Sequence, residues 1–298
     1  MHDLSVRIGD LVLRNPIIAA SGTFGFGQEY ADLYDVSQLG AVCSKGLTLH
    51  SREGNPCPRL WETPCGLLNS IGLQNPGIDA FLRDELPRMI SQGLVTIANV
   101  WAETPEDYAE AAERLSSSAV AAVELNVSCP NVPEAMLGQQ TEAVARVVRE
   151  ARKVCRKPLW VKLPPDAPLE VALAAEKEGV DAVCAVNTVR GLAIDIGERR
   201  PVSDRIFAGL SGPAIKPIAL RVVYELAAAL TIPVIGIGGT ATWQDVVEFI
   251  MAGACAVQVG TAHFIDPLIG PRMIDGLFQY MEREGLSNWE EIRGCAYR

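Results

Sequence analysis

The run Leu125-Asn126-Val127-Ser128-Cys129-Pro130-Asn131 places an amide and a thiol just beyond a short apolar segment. Residues 119–125 are apolar but for Glu124, and Pro130 marks a turn. A short apolar run bounded by turn signals reads as a buried strand. Groups just past such a strand sit on a loop held by a rigid scaffold. A thiol there is a candidate proton acceptor. Its ordinary pKa of about 8.5 leaves a few per cent as thiolate at neutral pH. A base of that strength suits removal of a proton from carbon next to a carbonyl, with a rate that rises toward alkaline pH. Asn126 can hold a planar, hydrogen-bonding substrate beside it. A single Cys is more often inert packing, but Ser128, Pro130 and Asn131 around Cys129 argue for a turn.

Two lysines invite similar attention. Lys162 closes Leu159-Trp160-Val161-Lys162-Leu163, where a lysine amid apolar neighbours is costly to bury without compensation. It could support negative charge on a reduced flavin ring, form a Schiff base, or pair with a core carboxylate such as Glu124. Lys45, before Gly46, could neutralise a substrate carboxylate or contact a cofactor; its plain alternative is an exposed loop lysine.

Two glycine-ended runs complete the set: Ile235-Gly236-Ile237-Gly238-Gly239-Thr240 and Val257-Gln258-Val259-Gly260-Thr261-Ala262. Glycines let backbone N–H groups approach an anion closely, which points to a phosphate; the plain alternative is two tight turns. Gly236 to Ala241 also fits the spacing of a dinucleotide fingerprint. No acidic residue ends the following strand near Val259, so a Rossmann site is not expected.

The elements that must carry these groups repeat as strand, loop, helix. Strands are predicted at 16–20, 41–44, 94–98, 121–125, 159–161, 182–186, 234–237 and 256–259, and helices at 78–92, 105–117, 141–154, 169–178, 213–230, 243–251 and about 269–284. Strands alternating with helices imply a parallel sheet. Eight such units in 298 residues predict an α/β fold, a (β/α)8 TIM barrel forming one domain over 1–298. Segments 46–75 and 190–212 exceed the minimal repeat and read as insertions over the C-terminal face of the strands. Chemistry in such barrels collects at that face, and the loops after strands 7 and 8 are a frequent phosphate site. One step past the strands stand Ser21-Gly22, Lys45-Gly46, Asn99, Asn126, Lys162, Asn187-Thr188, Gly238-Gly239 and Gly260-Thr261.

Composition narrows the field. The formal net charge of −10 disfavours binding to nucleic acid or an anionic membrane. The apolar runs reach about ten residues, short of the roughly 20 of a spanning helix, and the start lacks a basic, then apolar, leader. A cytoplasmic protein is expected. None of the eight cysteines forms Cys-x-x-Cys, so no metal site is expected. Cys43, Cys184 and Cys255 read as small buried hydrophobes.

At this point the residues resemble a known family. Lys45-Gly46-Leu47-Thr48 with Gly54-Asn55-Pro56, the run from Asn69-Ser70-Ile71-Gly72-Leu73 to Gln74-Asn75-Pro76-Gly77, and Asn126-Val127-Ser128-Cys129-Pro130-Asn131 are similar to the class 1 dihydroorotate dehydrogenases. Gly209-Leu210-Ser211-Gly212-Pro213-Ala214-Ile215-Lys216-Pro217 resembles the NAD-linked class 1B catalytic subunits, and the likeness runs almost end to end. Cys129 stands where the membrane-linked class 2 enzymes have Ser.

The resemblance implies FMN, held by Ser21, Lys45, Gly46, Asn99, Asn126, Lys162, Val186, Gly212, Gly238, Gly239, Gly260 and Thr261. It implies dihydroorotate among Lys45, Asn69, Ser70, Ile71, Gly72, Leu73, Asn126, Asn187 and Thr188, with Cys129 taking the C5 proton as hydride leaves C6 for the flavin. It further implies a homodimer within a heterotetramer, whose electron-transfer subunit carries FAD and a 2Fe–2S cluster. The chain departs from the family pattern at Val132-Pro133-Glu134-Ala135-Met136-Leu137-Gly138, which replaces glycines and a Phe-Gly, at Trp101-Ala102, and at Ala208-Gly209. The first of these predicts a stiffer loop after Cys129.

Three rival readings remain open on sequence. A dihydropyrimidine dehydrogenase-like flavin subunit would act on uracil or thymine. A Schiff-base aldolase would use Lys162 and no flavin. A phosphate-binding or assembly subunit would be colourless and indifferent to Cys129→Ala.

Overall fold

The structure is a computed structural model that describes residues 2–128 and 135–297, and the side chains of all of these but Ala135 and Met136. Eight strands form a closed barrel: β1 (Ile17–Ala19), β2 (Ala41–Cys43), β3 (Thr96–Val100), β4 (Ala122–Asn126), β5 (Leu159–Leu163), β6 (Ala182–Ala185), β7 (Val234–Ile237) and β8 (Ala256–Val259). Every neighbouring pair is parallel, and β8 closes onto β1 through Gln258 opposite Ile18. Parallel strands need crossover connections, and helices supply most of them here. The predicted (β/α)8 barrel is therefore the fold found.

The outer helices are α1 (Pro105–Ser116), α2 (Thr141–Val154), α3 (Leu169–Lys177), α4 (Lys216–Ala229) and α5 (Trp243–Met251), which connect barrel strands, and α6 (Ile269–Glu284), which follows the last strand. Each turns an apolar stripe inward. In α2, Val144, Ala145, Val147, Val148 and Ala151 are buried at helical spacing against the barrel. Two of these helix starts are capped by side chains: Thr104 Oγ1 accepts the Asp107 N–H at 3.1 Å, and Thr242 and Asp245 cap each other's backbone at the start of α5. The antiparallel hairpin Val6–Ile8 with Leu11–Leu13 lies at the opposite end from the strand C-termini, with Gly9 beside Asp181, the residue before β6.

The two predicted insertions meet. Leu60–Thr63, Gly66–Asn69, Ala208–Ser211 and Val189–Gly191 build one antiparallel sheet, with Leu68 opposite Leu210. Pairing between segments about 140 residues apart in sequence makes a shared wall beside the C-terminal mouth.

Several predicted boundaries need correction. Asn99, Asn126 and Lys162 lie within β3, β4 and β5, not beyond them: Asn99 pairs with Glu124, and Asn126 with Lys162, across the ladders. The strands run on through polar residues because those side chains face the barrel interior, where a cavity and other polar groups receive them. The helix predicted at 78–92 is broken into Ile78–Ala80, a π turn at Phe81–Glu85 and Leu86–Ser91. Pro87 has no N–H to continue the α ladder, and the wider turn sits just before it. The helix predicted at 213–230 starts as a 3-10 turn, Pro213–Ile215, before α4, for the same reason at Pro217.

No helix among the described residues is long and apolar enough to cross a membrane. The cap on α5 yields a stability test. Thr242→Ala is expected to lower unfolding free energy by about 1 kcal/mol, read as a shift in urea midpoint at unchanged slope; an unshifted midpoint would contradict the cap's role.

Candidate active site

A cavity of about 370 Å³ opens at the C-terminal ends of the strands. That volume lies in the range of sites that bury small-molecule ligands. The predicted residues Ser21, Lys45, Gly46, Asn69, Ile71, Gly72, Leu73, Asn99, Asn126, Lys162, Val186, Asn187, Thr188, Gly212, Gly238, Gly239, Gly260 and Thr261 all line it. Ser70 does not. Its hydroxyl turns away to accept the Asn55 amide at 3.0 Å, and its N–H donates to the Arg59 carbonyl, so it braces the loop from behind. Cys129 lies outside the described residues.

The chain up to that thiol is held firmly. Asn126 Oδ1 accepts from Ser128 N at 3.2 Å and Ser128 Oγ at 2.9 Å. Asn187 Nδ2 donates to Ser128 Oγ at 2.8 Å, and Tyr108 of α1 donates its hydroxyl proton to the Asn126 carbonyl at 2.8 Å. With Oδ1 so occupied, Asn126 keeps its N–H groups for a ligand. Asn69, on the insertion sheet, is braced by donating to Gly209 O at 3.0 Å.

Charge inside the cavity opposes charge on the whole chain. Its lining contains Lys45 and Lys162 and no carboxylate among the described residues, in a protein of net charge −10. Lys162 is 5 % exposed, and its ammonium makes no ion pair or hydrogen bond with a described residue. Glu124 does not pair with it; both carboxylate oxygens are taken by Asn99 and Gln258. Lys45 is half-buried, and desolvation, then the positive Arg59, push its pKa down. Lys45 is thus not the exposed loop residue of the plain reading, nor is Lys162 the partner of Glu124. One buried and one half-buried cation, neither in an ion pair with a described residue, select an anionic ligand.

Both glycine-ended turns line the cavity, and their glycines differ in what requires them. Gly239 has φ +78°, and a Cβ there would stand 2.5 Å from Lys216 N, so the close approach of α4 demands glycine. Gly260 has neither constraint: a Cβ would meet Ala20 Cβ at 3.6 Å, an ordinary contact. The protein itself would accept a side chain at 260, and what the glycine keeps clear is the cavity. Beside it Thr261 donates to Ser211 Oγ at 2.7 Å. Thr240 Oγ1, buried and without a partner among the described residues, also lines this end. An anion with several acceptor oxygens fits that donor set. His263, behind the turn, adds no charge, because burial pushes its pKa down to about 4.

Behind the same turns, Lys216 Nζ bridges to Asp245 at 2.6 Å and Glu248 at 3.0 Å. Asp245 also accepts the Ala241 and Thr242 N–H groups at 2.8 Å each. The clamp ties α4 and α5 to the Gly238–Thr240 turn.

Sequence reasoning passed over Thr240 and Ser211, although both stood in quoted motifs. It also read Cys43 and Cys184 as hydrophobic filler. They are buried, but Cys43 Sγ donates to Glu124 at 3.4 Å and Cys184 Sγ accepts from Gln258 at 3.7 Å. Burial, then the Glu124 charge, raise both thiols well above the ordinary range.

The Asp245 clamp predicts a pH dependence. Burial pushes that carboxyl up, but Lys216 and the two N–H groups outweigh it and the net shift is downward. Its stabilisation is therefore full above the unfolded pKa of about 3.9 and fades as pH falls through the lower folded value. Asp245→Asn should melt below wild type at pH 7, with the gap closing as pH drops below about 4; a gap independent of pH would contradict the clamp.

Comparisons with known proteins agree with this geometry. Residues 3–281 match the family model for dihydroorotate dehydrogenase. The chain is 51% identical over 298 residues to the dihydroorotate dehydrogenase B (NAD(+)) catalytic subunit of Petrotoga mobilis, covering 99% of each. It is 48% identical over 296 residues to the protein of that name from Thermoanaerobacter pseudethanolicus, covering 98% of each. The crystal structure of a dihydroorotate dehydrogenase from Eimeria tenella with ferulenol superposes with TM-score 0.83 at 22% identity, over 99% of this chain and 89% of that one, and shares the fold. The chain belongs to the dihydroorotate dehydrogenase family.

Proposed function

We propose that this chain oxidises (S)-dihydroorotate to orotate, the redox step of de novo pyrimidine synthesis, as the catalytic half of an NAD-linked enzyme. The whole of 1–298 acts as one FMN-binding domain. The observation that carries the reading is the lining of the barrel mouth: among the described residues, two lysines, no carboxylate and a set of amides, with a turn left open at Gly260. An FMN phosphate and a substrate carboxylate are the two anions such a lining suits.

The cavity residues divide between the two ligands. Gly212, Gly238, Gly239, Gly260 and Thr261 hold the phosphate, with Thr240 an added donor. Ser21, Gly46, Asn99 and Val186 face the ring, and Lys162 offers a cation to the side of the ring that gains electrons. Lys45, Asn69, Ile71, Gly72, Leu73, Asn126, Asn187 and Thr188 surround dihydroorotate; Ser70 contributes by bracing Asn55. When bound, FMN supplies the acceptor for the C6 hydride. Cys129 takes the C5 proton, and the loss of one hydride and one proton leaves the ring double bond of orotate. The anchored Ser128 supports this role, because residue 129 is one peptide from an atom set that touches Asn126 and Asn187.

NAD is reached through a partner. The relatives named above carry NAD(+) and "catalytic subunit" in their names. We assign the FAD and 2Fe–2S groups to a separate electron-transfer subunit, in a heterotetramer built on a homodimer of this chain, in the cytoplasm. The uracil or thymine alternative is not favoured, since those bases bring no carboxylate to a dicationic cavity.

The decisive experiment is a visible spectrum of the purified protein before and after anaerobic dihydroorotate. A flavin spectrum bleached by dihydroorotate and not by dihydrouracil is expected; colourless protein, or bleaching by dihydrouracil alone, would overturn the proposal. Cys129→Ala should retain FMN and slow bleaching by about 10²–10⁴-fold, the usual range for a lost general base. An unchanged rate in stopped flow would remove Cys129 from the mechanism. Lys162→Ala is expected to lose FMN or its reduction; full occupancy with normal turnover would contradict its role.

A further inference from the structure

Directly beneath the cavity, four side chains from alternate strands fill one layer of the barrel: Cys43 (β2), Glu124 (β4), Cys184 (β6) and Gln258 (β8), each 0 % exposed. Such layers are ordinarily branched hydrocarbon. This one is a hydrogen-bonded net. Gln258 Nε2 donates across the barrel to Glu124 Oε2 at 2.5 Å and contacts Cys184 Sγ at 3.7 Å, while Cys43 Sγ donates to Glu124 Oε1 at 3.4 Å. The two cysteines leave room for two long polar side chains to meet on the axis.

Glu124 has one further donor, and it comes from the cavity wall. Asn99 Nδ2 approaches Glu124 Oε1 at 2.6 Å. All the contacts of Glu124 are ones in which it accepts, as a carboxylate does. An acceptor-only partner fixes the Asn99 amide: its nitrogen must face Glu124 and its carbonyl oxygen must face away. That oxygen is buried without a partner, beside Gly46 at the cavity wall. An orphaned buried acceptor is costly unless something donates to it.

We infer that Glu124 is a positioning residue: held by Gln258 across the barrel, it locks the Asn99 amide so that its carbonyl offers a fixed acceptor to a ring N–H of the bound flavin. The inference rests on the flavin reading above. Glu124 touches neither ligand and acts through Asn99. A glutamine at 124 keeps the volume, and the net can then be satisfied in two ways: its oxygen toward Asn99 with its NH2 on the Oε1 of a flipped Gln258, which has no partner now, or its NH2 on the oxygen of a flipped Asn99 with its oxygen toward Gln258 Nε2. It loses the directional control, because an amide can donate to Asn99 as well as accept from it.

The test is a double-mutant cycle read by FMN binding to flavin-stripped protein, followed by quenching of flavin fluorescence. Glu124→Gln and Asn99→Ala should each weaken FMN binding about 10-fold, the scale of one hydrogen bond to a charged or buried group. The double variant should also be weaker by about 10-fold, because without Asn99 there is nothing for residue 124 to orient. Losses that multiply to about 100-fold would mean a general structural role and overturn the inference, as would unaltered binding in Glu124→Gln. Gln258→Met supplies a second route if Glu124→Gln does not fold: its loss should vanish in the Asn99→Ala background, and a loss that persists there overturns the inference. No FMN uptake by wild-type protein would overturn the flavin reading and this inference with it; uptake with multiplicative losses would overturn this inference alone.

Discussion

Closure of the parallel sheet is the constraint on which everything else depends. Once β8 pairs with β1, eight strand ends that lie far apart in sequence must converge on one mouth, and alternate side chains must point to one axis. The convergence puts Lys45, Asn99, Asn126, Lys162 and the glycine turns around a single cavity. The alternation sends Glu124 and Gln258 to the axis from opposite sides of the ring. A break in closure would therefore cost the site before it cost the helices.

Electrostatics then follow from what each group can find. The surface is rich in ion pairs, most of them exposed and worth little individually. The cavity is the reverse, with two lysines and no acid among its described lining residues. The negative charge nearest in kind, Glu124, is committed to amides one layer below. A chain that repels polyanions over most of its surface thus holds a small cationic pocket, and the Lys216–Asp245 clamp keeps the glycine-turn end of the pocket in shape without lending it charge.

Much of this is readable in the sequence alone. The alternation of short apolar runs with amphipathic stretches determines the barrel, because each strand is buried on both faces and each helix on one. Glycines at 238, 239 and 260 mark two turns that line the cavity, although only the structure separates Gly239, required by α4, from Gly260, on which the protein's own packing makes no demand. Strand limits were harder. Asn99, Asn126 and Lys162 look like strand terminators because polarity is read as exposure, yet they are interior groups facing a cavity. Ser70 was misplaced for a related reason: a motif identifies a loop, not which way each side chain turns. The layer of Cys43, Glu124, Cys184 and Gln258 was invisible, since contacts across a barrel join residues with no local pattern between them. Its one trace was Glu124 itself, a charge within an otherwise apolar strand.

The measurement closest to the central claim is a crystal structure of the protein loaded with FMN and orotate. The account predicts the phosphate against the Gly238–Gly239 and Gly260–Thr261 turns, the ring over Asn99 and Lys162, and the sulfur of Cys129 facing C5 of orotate. A flavin bound elsewhere, or that sulfur turned into packed hydrocarbon, would contradict it.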